Sequence, residues 1–81
     1  MGSDETTYKI AYPGGEPTTI KLPKIVADAL HRQDMDVHEF LEHAFHLEFV
    51  RHPELSRIAV GDIVRQIALA HAEKDILRDI L

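Results

Sequence analysis

Between Thr18 and Leu22 polar and apolar residues alternate, so Ile20 and Leu22 point to one side and Thr19 and Lys21 to the other. That is the period of a strand with one buried face. A second alternating run, Thr7 to Tyr12, gathers Tyr8, Ile10 and Tyr12 on one face. Pro13-Gly14-Gly15-Glu16-Pro17 lies between the two runs and is dense in turn formers. The combination satisfies the signal for a hairpin. It equally satisfies an arm leading into a single strand, because a proline at each end of the loop removes a backbone donor.

After Pro23 the period lengthens. Proline suits the first position of a helix, where its missing N–H is not needed. Ile25, Val26, Ala29 and Leu30 then form a narrow apolar stripe on a short helix ending near Gln33. Asp36 followed by Glu39 is an acidic version of the capping box, predicting a second helix from Val37. Its apolar positions, Val37, Phe40, Leu41, Ala44, Phe45, Leu47 and Phe49, cover more than half the circumference. That is wider than one packing partner requires. His52-Pro53 ends this helix, since the residue before proline is disfavoured in helical geometry. A third helix is expected from Pro53 or Ser56, loosened at Gly61. One of its stripes holds Val60, Ile63, Val64, Ile67 and His71, and a second holds Leu69, Ile76 and Ile80, flanked by Leu77 and Leu81. The expected fold class is α+β, an N-terminal β-ribbon followed by about three helices. The chain divides into 1–17 as an arm or first hairpin strand, 18–52 as the core, and 53–81 as a C-terminal helical extension.

Size sharpens this picture. Eighty-one residues make one small domain, and such a core is marginal without disulfides, metal or self-association. The absence of cysteine excludes disulfides and thiolate metal sites, and makes a reducing cytoplasm the natural setting. With 44% hydrophobic residues, an obligate homodimer is expected, using Phe40, Leu41 and Phe45 of the second helix. No apolar run is long enough for a membrane span. The net charge of −5 is uneven. Residues 18–33 carry Lys21, Lys24 and Arg32 against Asp28, whereas 34–50 hold Asp34, Asp36, Glu39, Glu42 and Glu48 with no Lys or Arg. A polyanion would therefore be met through 18–33, with the acidic middle facing elsewhere.

Ile20-Lys21-Leu22-Pro23, the short helix, and Asp36-Val37-His38-Glu39-Phe40-Leu41 together resemble the ribbon-helix-helix family of DNA-binding repressors and antitoxins. The resemblance covers Thr18 to about Arg51, under half the chain. It implies a dimer made by pairing the strand with its symmetry mate, with Thr19 and Lys21 as base-reading positions in the major groove. It also implies a phosphate held by the backbone N–H groups near Val37 and His38, with Lys24 as a further phosphate contact. A two-stranded ribbon does fit the major groove, and Lys and Thr both have partners on base edges. Three features depart from the family, the first being a helix after the strand about one turn shorter than its members usually show. Asp34 stands where its members usually carry glycine, and Asp34, Asp36 and Glu39 place negative charge where a phosphate would sit.

Other chemistry finds little support. Glu39, Glu42, His43 and His46 share one face of the second helix, but neither His-Glu-x-x-His nor Glu-x-x-His occurs. The pairs 39/43 and 42/46 read as ordinary polar neighbours one turn apart. The only serines are Ser3 and Ser56, neither within a Gly-x-Ser-x-Gly turn, and the two-glycine loop lacks the Lys-Ser/Thr of a phosphate loop. No enzyme, cofactor or metal is expected. The expected partners are double-stranded DNA, a second copy, and a protein at the C-terminal helix through Leu69, Ile76 and Ile80. The alternative is an acidic protein-interaction module, an adaptor or inhibitor with an intramolecular hairpin and no DNA binding. Strand pairing separates them. Pairing across a twofold doubles Thr19 and Lys21 on one ribbon, and pairing within the chain favours the interaction module.

Overall fold

Strand β1 (Glu5–Ile10) and strand β2 (Thr18–Pro23) pair antiparallel within one chain. The register sets Tyr8 opposite Ile20, Lys9 opposite Thr19 and Thr7 opposite Lys21. Three helices follow, α1 (Lys24–Arg32), α2 (Val37–Arg51) and α3 (Arg57–Ile80). This computed structural model describes residues 5–11 and 17–80, with side chains through 75. Tyr12 and the Pro-Gly-Gly-Glu stretch of the loop expected between the strands lie outside the described residues.

Helix boundaries follow local chemistry. α1 begins directly after Pro23. Asp36 caps α2, its carboxylate accepting from the Glu39 backbone N–H at 3.1 Å. α2 closes at His52, whose N–H donates to the Glu48 carbonyl, and Pro53 blocks continuation. Ser56, the second of the two expected starts, opens α3, its Oγ accepting from the Ala59 N–H at 3.2 Å. α3 runs unbroken through Gly61 instead of loosening there.

The inner face of the hairpin supplies Ile10, Ile20 and Leu22 to a single core. Val26, Ala29 and Leu30 of α1, Val37, Leu41, Ala44 and Phe45 of α2, and Val60, Val64, Ala68 and Ala72 of α3 complete it. Two stripes differ from those read off the sequence. On α1 the buried set is Val26, Ala27, Ala29 and Leu30, while Ile25 is exposed. The helix leaves β2 without a loop, so its facing is inherited from the strand and Ala27 turns inward. On α3 the fully buried line is Val60, Val64, Ala68 and Ala72, with Ile63, Ile67 and Leu69 half-buried and His71 exposed. Alanines on both α1 and α3, which pack together, allow the helices a close approach. His71, placed by the sequence on the apolar stripe of this helix, is exposed instead, its ring and that of Phe40 in a T-shaped arrangement with centroids 5.2 Å apart.

The α1 end is latched to α3. Arg32 donates to Asp75 through Nε at 2.9 Å and Nη2 at 2.8 Å, and the Gln33 amide donates to the His71 carbonyl at 3.0 Å. Just beyond, Asp34 takes a left-handed backbone, φ 59°. An aspartate there bears the steric cost of its Cβ, and its charge is unfavourable at the C-terminal end of α1 while it favours the start of α2. Replacing Asp34 with glycine should therefore stabilise the fold by about 0.5–1 kcal/mol, measured as a higher urea midpoint at unchanged slope.

Candidate functional site

One face of the hairpin points away from the helices. Glu5, Thr7 and Lys9 of β1 and Thr19 and Lys21 of β2 are all exposed there. Lys9 lies opposite Thr19 and Thr7 opposite Lys21. Sequence reasoning had placed Thr19 and Lys21 outward but overlooked Thr7 and Lys9. Their signal was the other half of the alternation that gathered Tyr8 and Ile10. Tyr8, half-buried on the inner side, has its phenol pKa pushed up by burial and by the nearby Asp28 carboxylate.

The two edges of the hairpin differ. On the β1 side, His38 Nε2–H donates to the Lys9 carbonyl at 2.7 Å, so that carbonyl turns away from β2. In an antiparallel ladder, opposed residues alternate between pairs that exchange hydrogen bonds and pairs whose polar groups point outward. Lys9 and Thr19 are thus an outward pair, and by alternation so are Thr7 with Lys21 and Glu5 with Pro23. Pro23 supports the same assignment independently, since it has no N–H to give to β1. The backbone N–H and C=O groups of Thr19 and Lys21 therefore face the outer edge of β2. Among the described residues nothing pairs with them. One edge is held by a histidine and the other is open.

Beside the open edge lies a groove of about 260 Å³, bordered by Thr18, Thr19, Ile20 and Lys21 of β2 and by Ile58, Gly61, Asp62 and Arg65 of α3. Four consecutive strand residues border one hollow only along an edge, because side chains alternate between faces. The α3 residues, spaced 58, 61, 62 and 65, make one helical face. Ile58 is 74% exposed. Among the described residues a Cβ added at Gly61 would meet nothing within 4 Å.

The remaining expected site residues fall in several places. Lys24 is exposed at the start of α1. The Val37 side chain is buried in the core, and the His38 ring is engaged by Lys9. The Asp36 carboxylate already takes one of the free N–H groups at the α2 start. Leu41 and Phe45 are fully buried inside one chain, with Phe40 and Leu69 packed half-buried against that core. Ile76 and Ile80 belong to α3, but their side chains lie outside the described residues. The acidic side chain buried at the far end of α2, Glu48, is met by Arg51 at 3.3 Å and His52 at 3.5 Å. Among the described residues no cluster of three His, Asp or Glu side chains is placed to hold a metal ion, and no helix is long and apolar enough to cross a membrane. No family model, curated protein or solved structure matches the chain.

Two substitutions test this geometry. His38→Ala removes the donor to Lys9 and should cost about 0.5–1.5 kcal/mol, with faster amide exchange along β1. Gly61→Ala should instead stabilise the fold by about 0.5–1 kcal/mol, because helix propensity improves and no neighbour is displaced. Chemical denaturation reads both.

Proposed function

We propose that this chain is a protein-interaction module, an adaptor or inhibitor that receives its partner at the hairpin. The observation that carries this reading is the pairing of β2 with β1 inside one chain. The strand needs no second copy to complete its ladder on that side, and among the described residues nothing pairs with its other edge, which lies beside a groove. The net charge of −5 agrees with it, since a general polyanion binder would be basic. So does the start of α2, where the Asp36 carboxylate occupies the position a phosphate would need.

A second reading rests on a specific observation. Thr7, Lys9, Thr19 and Lys21 form an exposed polar and cationic face on a two-stranded ribbon, an element of a size to enter a major groove. In that reading the chain is a DNA-binding regulator of repressor or antitoxin type, with Thr19 and Lys21 reading bases, Lys24 on a phosphate, and a second copy supplying the other half-site.

Parallel selections separate the two. The full chain is presented with a random heptapeptide library and with random DNA duplexes at low salt. The interaction module requires a defined family of peptides and no enriched duplex. Enrichment of one duplex sequence, weakened by about 1–3 kcal/mol per contacted base in Lys21→Ala, would overturn it in favour of DNA.

A further inference from the structure

We infer that the groove between the open edge of β2 and the Ile58–Arg65 face of α3 takes one extended segment of another protein, added as a third strand beside β2. The segment carries an apolar residue with a carboxylate two positions away. This rests on the interaction-module reading and names its partner chemistry.

Three independent features meet here. The first is backbone parity. Thr19 and Lys21 present unpaired N–H and C=O groups on the groove side, the requirement for main-chain recognition of an added strand. Pro17 and Pro23 bracket this stretch, each three residues from Ile20. Neither has an N–H, so the ladder they allow spans only 18–22 and accepts a short segment instead of propagating.

The second is Gly61. A glycine inside a helix costs about 0.5–1 kcal/mol relative to alanine, and among the described residues nothing packs where its side chain would be. Internal packing therefore gives no reason for it. Its missing side chain leaves room beside Ile58 for an inward-pointing apolar residue on the added strand.

The third is charge. The groove carries Lys21 and Arg65 against Asp62, a local excess of one positive charge on a chain of net −5. Among the described residues neither Asp62 nor Arg65 has a salt-bridge partner. A carboxylate two positions from the inward apolar residue stays on the helix side of the added strand, where Arg65 meets it, and the Lys21 charge at the edge adds to the attraction. A second copy of β2 fits this groove poorly. Its inward residues, Ile20 and Leu22, are already buried in their own core and have no apolar surface to offer against Ile58 and Gly61.

The test begins with heptapeptides selected from a random library on the full chain. The expected consensus is an apolar residue flanked at two-residue spacing by Asp or Glu. Saturating a labelled chain with such a peptide should slow exchange of the Thr19 and Lys21 amides by at least about tenfold. N-methylating the alternate peptide residues that donate to β2 should abolish binding. Gly61→Leu should weaken binding by about tenfold or more while the fold is retained, since leucine favours the helix more than glycine does. Arg65→Glu should shift the selected flank from acidic to basic. Peptides that bind without slowing Thr19 and Lys21, or that bind Gly61→Leu equally well, would overturn the groove while leaving the interaction module standing. A library that yields no binder would overturn both. A free chain that sediments as a dimer with those two amides already protected would assign the edge to a second copy instead.

Discussion

The hairpin is held by the burial of Ile10, Ile20 and Leu22 against three helices, and the rest of the structure depends on that contact. Two strands alone are at best marginally stable in water. These three side chains supply the buried part of the inner face, beside the half-buried Tyr8, and each is fully or almost fully buried. Strand periodicity then leaves no freedom: a slip of one residue would expose Ile20 and Leu22 and bury Thr19 and Lys21. The register that satisfies the core thereby fixes which backbone groups face outward. α1 leaves β2 directly at Pro23, so the same contact also sets the facing of that helix.

From that constraint the asymmetry of the edges follows. Packing α2 beneath the hairpin brings His38 to the Lys9 carbonyl and satisfies the β1 side. Packing α3 beneath β2 brings up Ile58, Gly61, Asp62 and Arg65 but no backbone partner among the described residues. Exposed strand edges in natural proteins are commonly shortened or guarded with lysine and proline. Here Lys21, Pro17 and Pro23 limit the edge to a short window without covering it. The result is a strand that resists open-ended growth yet keeps its hydrogen-bonding groups available.

Much of the fold was legible because its signals are local. Pro23, the Asp36–Glu39 cap, Pro53 and Ser56 act within one turn of the chain, and each marks a helix end that the structure reproduces. Alternation likewise gave the faces of both strands. Strand pairing was not legible, since Thr19 and Lys21 alternate identically whether β2 meets β1 or a symmetry mate. The breadth of apolar positions on α2 pointed to a neighbour outside the chain, yet Leu41 and Phe45 are absorbed by the chain's own hairpin and α3. Ile25 belongs to the apolar stripe of α1 yet lies outside, because a direct strand-to-helix junction outweighs hydrophobicity at one position. The groove left no sequence signal except Gly61, which read as a weak point in a helix and proved to be a gap beside an edge.

The most direct measurement is residue-resolved amide exchange of the free chain over a range of protein concentrations. If β2 closes on β1 and leaves its other edge open, Ile20 and Leu22 exchange slowly while Thr19 and Lys21 exchange quickly, and the alternation is independent of concentration. Uniform protection of Thr19, Ile20, Lys21 and Leu22 would contradict an open edge. Protection of Thr19 and Lys21 with rapid exchange at Ile20 and Leu22 would contradict the intramolecular register itself.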